Sequence, residues 1–425
     1  MKLETLLPLL NQWWKNGRVG SEKALTYKRV QFEKLVELLD ERQIIIVTGL
    51  RRVGKSTMLF QSIEKTINNG VDPLKILYFT FDESVDEVSE VLEAYRLITD
   101  SDWRKDKIYV FLDEIQKLSG WSSQIKLLHD NFPNIKFVIS GSAGLNMEID
   151  AIKDLAGRYS FIDVLPLYLK EFAEMYSGHR IGKKEIFRDE MDVMINKFIR
   201  RPFPEIVHWE DESRILEYVR SMVVEKMIYS DLPKFTKDFR PELASTLLRI
   251  FMSEPGMILN VDGLARDLGV SKTILNTHIH YLEFARLIKV ISNYRPSIMS
   301  RSRKLRRVYP YHIALTTPFK YNIEIGKIFE VQTRTYLGLN DYWRKGKKEI
   351  DFIKIDGDTL IPIEVKSSKK VDPSMNKVLD HFMDRYEISR GVLIHGGTRV
   401  HEFELNGDRI IRAVPLEKVL WDGFL

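Results

Sequence analysis

The 425-residue chain contains no cysteine, which excludes disulfides, thiolate zinc sites and cysteine nucleophiles together. It has no run of about eighteen apolar residues, the length a membrane-spanning helix needs. No low-complexity tract of the kind that stays disordered is present. The opening Met1-Lys2-Leu3-Glu4, with Trp13-Trp14-Lys15 behind it, does not fit a secretion signal. The positive excess is only +5, so the location of charge matters more than its total. The expectation is a cytoplasmic protein with no membrane partner. Apolar residues make up 44%, enough for globular folding, and the length suggests about two to four domains.

The strongest motif is Gly49-Leu50-Arg51-Arg52-Val53-Gly54-Lys55-Ser56, followed by Thr57. It follows the apolar run Gln43–Thr48 and opens a helical pattern, so G-x-x-x-x-G-K-S stands between strand and helix, as a phosphate loop requires. The glycines let successive N–H groups curl around an anion at a helix N-terminus. Lys55 is placed for the terminal phosphates of ATP and Ser56 for Mg²⁺, with Gly49, Arg52, Gly54 and Thr57 completing the nucleotide contacts.

A second strand, Lys107–Leu112, ends in Asp113-Glu114. Ligands of open α/β sheets bind beyond the carboxyl ends of the strands. Asp113 therefore reads as the magnesium-side carboxylate and Glu114 as the group that polarises the attacking water. Further strands are expected at Lys75–Phe81, Ile135–Ser140 and Tyr159–Val164, alternating with helices, which argues for a parallel sheet. The strand at 75–81, lying between the phosphate loop and the acidic strand, is typical of NTPases with a glutamate-activated water. Ser140 and Ser142 are either γ-phosphate sensors or the small residues of a tight turn.

Beyond residue 165 the pattern turns helical and irregular, as a lid would. Leu259–Ser271 running into Lys272–Ile288 reads as helix, glycine turn, serine cap and second helix. Such a unit either enters a DNA groove, with Lys272, Thr273 and Asn276 among the contacts, or only packs. From Lys289 to Arg307 there are seven basic residues and no acidic one. Arg301, Arg303, Lys304, Arg306 and Arg307 sit where a wing would grip phosphates. The alternative for any such run is a solvated surface.

The C-terminal part reads as a helix over 321–339 carrying Glu330, then a hairpin over 349–355 and 359–366. Period-2 geometry puts Glu364 and Lys366 on one face, within reach of Asp351 on the neighbouring strand. Two carboxylates and a lysine so placed suit phosphodiester cleavage with Mg²⁺ or Mn²⁺, Glu330 supplying an outer or second metal position. Equally, these charges could form a salt-bridged face on an inactive fold.

Taken in order, Gly49–Ser56, Leu112–Gln116 with Trp121, Ser140–Ser142, Leu155–Arg158 and Asp351…Glu364-Val365-Lys366 resemble an archaeal and bacterial family of AAA-like ATPases. Its members join a P-loop domain to a winged helix and a PD-(D/E)XK restriction-endonuclease-like domain. The resemblance implies ATP hydrolysis and, for some members, nuclease-ATPase work in DNA repair on branched, flapped or forked DNA. It makes Arg158 a candidate nucleotide contact, across a subunit boundary if the chain forms a homo-oligomer. The sequence departs from the pattern at Ile350-Asp351, where the proline of the acidic pair is missing.

The expected fold class is α/β: a P-loop NTPase parallel sheet with a helical lid, a winged helix-turn-helix and a C-terminal restriction-endonuclease-like α/β domain. The expected boundaries are an N-terminal helical segment at 1–40, the ATPase core at 41–168, the lid at 169–235, the winged unit at 236–312 and the nuclease-like domain at 313–425. Two functions remain: an ATPase with a metal-dependent DNA nuclease, or an ATP-dependent switch or DNA-remodelling ATPase whose nuclease-like domain is inactive.

Overall fold

The computed structural model describes residues 2–142, 153–155, 157–182, 191–235, 238–296, 305–320, 322–372, 377–405 and 408–423. The chain divides into two compact units, Met1–Leu165 and Pro166–Leu425. Among the described residues no helix is long and apolar enough to cross a membrane.

The first unit is built on β1 (Ile44–Gly49), β2 (Ile76–Thr80), β3 (Ile108–Asp113), β4 (Ile135–Gly141) and β5 (Tyr159–Val164). All pairings are parallel, in the order β2-β3-β4-β1-β5. β1, β3 and β4 are buried along their whole length, which is why their sequences are unbroken apolar runs rather than alternating ones. Ile44, Ile46, Phe79, Val110, Leu112 and Phe137 share one core with Val91, Tyr95 and Ile125 of the covering helices. Each strand expected from the sequence is present, with its ends shifted by no more than one residue. The expected helical start resolves into helices Leu3–Leu10, Trp13–Asn16 and Phe32–Leu38, separated by turns.

β2 is an edge strand, and such edges need covering. Here the N-terminal segment does it. Asn11 Nδ2 donates to Tyr78 O at 2.9 Å and Asn11 Oδ1 accepts from Tyr78 N at 2.6 Å, so one side chain imitates a neighbouring peptide. The indoles of Trp13 and Trp14 both donate to Ile76 O, at 3.1 and 2.8 Å.

The second unit starts with helices Leu169–Ser177, Met191–Arg200 and Glu212–Tyr218. Helices Pro241–Ser253, Val261–Asp267 and Lys272–Phe284 follow. Its strands are β6 (Met257–Ile258), β7 (Ile288–Asn293), β8 (Arg307–Pro310), β9 (Asp341–Lys345), β10 (Lys348–Asp356), β11 (Thr359–Val365), β12 (Arg390–His395), β13 (His401–Leu405) and β14 (Arg409–Pro415). They form one sheet in the order β13-β14-β12-β11-β10-β9-β7-β8-β6. The link is β7 against β9, where Ser292 pairs with Asp341 and Asn293 with Tyr342. The sheet therefore runs on across residues 312 and 313. A helix, Ile325–Leu337, lies in this unit and carries Glu330.

Candidate functional sites

The phosphate loop joins β1 to the helix Lys55–Asn68. Gly54 caps that helix at φ 97°, a left-handed conformation suited to glycine. A Cβ on Gly49 would lie 2.4 Å from Val164 O, so the loop starts where β5 passes too close for any side chain. Lys55 is buried and donates to the carbonyls of Gly49 and Leu50, each at 3.1 Å. Arg29, which the sequence reading did not single out, donates to Val53 O in this loop at 2.5 Å and to Leu165 O at 2.9 Å.

Beyond the end of β3 the two acids part. Asp113 is buried, and its carboxylate accepts from Tyr78 Oη at 3.1 Å and from Ser140 Oγ. Burial and the neighbouring Glu114 raise its pKa, against the opposing pull of Ser140, Ser56 and Lys55. Glu114 turns away through a left-handed φ of 53°. Its Oε2 accepts from Gln116 Nε2 and, at 3.1 Å, from Ser142 Oγ. The two serines weighed in the sequence are thereby distinguished: Ser140 serves Asp113 and Ser142 serves Glu114. Tyr78 was missed, and Gln116 stood in the quoted motif without a role. Gln116 stands two residues beyond Glu114, and its turn back to the carboxylate depends on the tight turn Ile115–Lys117.

Arg158 needs a correction as a contact within its own chain. It precedes β5, whose first residue pairs with Ile44, while Gly49 pairs with Val164 at the other end. About five residues of parallel strand, roughly 17 Å, separate it from the loop. Its Nε donates to Asp130 Oδ1 at 2.7 Å. With Arg42, Gln43, His129, Asp130 and Gly157 it lines a cavity of about 440 Å³.

In the second unit the expected hairpin forms as β10 and β11, with Phe352 opposite Ile363. That register brings Asp351 beside Glu364. Asp351 Oδ2 accepts from Val365 N at 2.8 Å, and Lys366 Nζ donates to Glu364 Oε1 at 2.5 Å. Burial, then the charges of Glu364 and Glu330, push the Asp351 pKa well above the usual carboxylate range. Burial also raises Glu364. Burial works against the Lys366 charge, but Glu364, Asp351 and Glu330 outweigh it and raise that pKa. Glu330 is turned aside: Tyr309 Oη donates to its Oε2 at 3.0 Å, and Lys327 Nζ reaches Oε1 at 2.9 Å and Oε2 at 3.1 Å.

Among the described residues no group of three histidine, aspartate or glutamate side chains stands ready to hold a metal ion. The pair Asp351 and Glu364 nonetheless fits a hard divalent cation. Glu364 Oε2 is buried without a hydrogen-bond partner, and Mg²⁺ is commonly held by one or two carboxylates plus water or substrate phosphate.

The helix Lys272–Phe284 has two faces. Leu275, His278, Ile279 and Leu282 are buried, as is Ala285 at its C-terminal cap, while Ile274 is half-buried. Lys272, Thr273 and Asn276 are exposed. Lys272 pairs with Asp262, and Arg306 Nη2 reaches Asn276 Oδ1 at 3.4 Å. Arg301, Arg303 and Lys304 lie outside the described residues. Arg307 is corrected: it is only 8% exposed, pairs with Glu349 and lies over the Tyr342 ring at 4.7 Å. Its place inside β8 turns it into the protein, where it is not free to grip phosphate.

Comparison with known proteins bears on the first unit and on the segments beyond it. Residues 41–173 match the AAA_14 family, described as an AAA domain. Residues 198–317 and 331–419 match two families described as domains of unknown function, DUF8612 and DUF4143. An uncharacterized protein of Methanocaldococcus jannaschii is 25% identical over 462 residues, covering 98% of this chain and 93% of that one. An uncharacterized protein of Haemophilus influenzae is 23% identical over 419 residues, covering 92% and 98%. Among solved structures, the ORC2 protein of Aeropyrum pernix in its ADP form has a TM-score of 0.36 at 12% identity, covering 73% of this chain and 94% of that one. AMPPCP-bound DnaA of Aquifex aeolicus has a TM-score of 0.27 at 15% identity, covering 64% and 90%. The family match and the parallel sheet with its phosphate loop make the N-terminal unit an AAA-like P-loop domain.

Proposed function

We propose that this chain hydrolyses ATP, binds DNA and cuts it with Mg²⁺ or Mn²⁺ at a separate C-terminal site. The observation that carries the ATPase reading is the convergence of Lys55, Ser56, Asp113 and Glu114 at the carboxyl ends of β1 and β3. On binding ATP, Lys55 exchanges the carbonyls of Gly49 and Leu50 for terminal phosphates. Ser56 and Asp113 would hold Mg²⁺, whose charge would neutralise that of the phosphates. Glu114, held by Gln116 and Ser142, orients the attacking water. Arg52 and Thr57 border the nucleotide. Arg158 reaches nucleotide only on a second copy, so that role requires a homo-oligomer. ATP binding and hydrolysis by Lys55→Ala test this reading: both should fall to background while the fold persists. Hydrolysis at the wild-type rate would remove it.

The nuclease reading rests on Asp351, Glu364 and Lys366 meeting on one hairpin with a carboxylate oxygen left unpaired. Asp351 and Glu364 would hold Mg²⁺ or Mn²⁺, which supplies an activated water and shields the phosphate. Lys366 stabilises the charge that develops on phosphate oxygens. Lys272, Thr273, Asn276 and Arg306, with Arg301, Arg303 and Lys304, are the proposed DNA contacts. The resemblance favours branched, flapped or forked DNA in repair. End-labelled forked DNA incubated with Mn²⁺ should be cut by the wild type and left whole by Glu364→Ala; equal cutting by both would move the activity elsewhere.

One observation favours a second reading. With both oxygens of Glu330 engaged, the C-terminal unit could serve only to hold nucleic acid, in an ATP-dependent switch. Salt-sensitive DNA binding with no strand scission under any metal would select it.

A further inference from the structure

Tyr309 is the third residue of β8, in the segment that leads out of the basic stretch. It is fully buried, and its ring packs 5.7 Å from that of Phe352, the neighbour of Asp351. A Cβ added to Gly256 would come within 2.9 Å of its Cε1, Cζ and Oη, so the bare glycine admits the tip of the ring. The hydroxyl therefore has one fixed position, and there it donates to Glu330 Oε2 at 3.0 Å. Lys327, one turn earlier on the same helix as Glu330, engages both of its oxygens. The Glu330 side chain is only 13% exposed, so water competes little for it.

These contacts bear on the cluster next to them. Asp351 and Glu364 supply two carboxylates, and Glu330 is near enough for its charge to act on Asp351. Both of its oxygens face Tyr309 or Lys327, contacts that hold the carboxylate in that direction.

We propose that Tyr309 is a positioning residue that withholds Glu330 from the Asp351–Glu364 pair and thereby sets the affinity of the site for a divalent cation. The inference rests on reading that pair as a metal-dependent site. Removing the hydroxyl leaves the ring to fill its place against Phe352 and Gly256, and takes away one of the two holds on Glu330, so that it turns more readily as a third oxygen donor. Losing Lys327 acts in the same direction through the other contact, at a position exposed enough to tolerate change.

The test is Mn²⁺ binding to the full chain without nucleotide or DNA, followed by the electron paramagnetic resonance of free Mn²⁺. Glu364→Gln gives the background from ions held elsewhere. Tyr309→Phe should bind Mn²⁺ about tenfold more tightly than wild type, the scale of one hydrogen bond to a charged group removed from the competing state. Adding Glu330→Gln to Tyr309→Phe should return the affinity to the wild-type value. Lys327→Met should tighten binding in the same sense, and it carries the test if Tyr309→Phe does not fold. Unchanged affinity in the folded variants, with binding lost in Glu364→Gln, overturns the withholding role and leaves the metal site standing. Binding in Glu364→Gln equal to wild type overturns the metal site itself, and the inference with it.

Discussion

Glu114 illustrates how much of this protein's chemistry depends on side-chain direction. Its left-handed backbone sets the carboxylate against Gln116 and Ser142, while Asp113 is held by Tyr78 and Ser140. Glu114→Gln should lower phosphate release by about 10²-fold, the scale of a lost general base, with ATP binding within a few-fold of wild type by equilibrium titration. Loss of binding in that variant would mean the side chain supports the loop instead. The phosphate loop and the acidic pair were legible because their spacing is local. Tyr78 was not, because only the strand order brings β2 beside β3. Arg307 misled because a one-signed run hides the alternation of a strand, and its partner Glu349 lies forty-two residues away.

Two asparagines do the work of missing strands. Asn11 closes the open edge of β2 against Tyr78. Asn293 extends β7 by accepting from Arg344 N at 3.0 Å and donating to Arg344 O at 3.2 Å. Asn11 is buried, so Asn11→Ala leaves both polar groups of Tyr78 without this partner. Two such hydrogen bonds make a loss of about 1–3 kcal/mol the expected outcome, read from the urea midpoint; an unchanged midpoint would mean water replaces the side chain. The strands of the first unit and the β10–β11 hairpin were legible, their ends almost unshifted, whereas β9 and β12–β14 were not singled out. The helix expected over 321–339 is shorter, Ile325–Leu337, closed by Gly338 in a left-handed turn, a stop that the sequence displayed. Neither asparagine pairing could be read, since each depends on a partner more than fifty residues distant.

At the scale of the whole molecule, the two units are built differently, one on a parallel sheet and the other on a mixed one. The second unit contains a buried histidine that ties its acid stability to one proton. His312 accepts from Ala314 N at 3.0 Å, and its other nitrogen meets Tyr336 Oη at 3.1 Å, whose hydroxyl donates to Leu167 O. Burial, reinforced by the charge of Arg334, lowers its pKa to about 3. An unfolded histidine titrates near 6.5, so between those values the unfolded chain binds a proton that the folded chain refuses. Stability should therefore fall as pH drops from about 6.5 towards 3, by up to ~1.4 kcal/mol per pH unit. His278, also lowered by burial, adds in the same sense. His312→Gln should flatten the slope of denaturation midpoint against pH; an unaltered slope would place the acid sensitivity elsewhere. The AAA-like unit was legible from its motifs. The continuous nine-stranded sheet was not, because the pairing of β7 with β9 leaves no mark in either strand.

The central claim is that one chain holds two separate sites, and parallel assays on the same preparations test it most directly. Phosphate release from ATP and cleavage of forked DNA with Mn²⁺ would be measured for wild type, Glu114→Gln and Glu364→Ala. The account predicts that Glu364→Ala loses cleavage and keeps phosphate release, while Glu114→Gln loses phosphate release. Cleavage undiminished in Glu364→Ala, or both activities lost together in that variant, would contradict it.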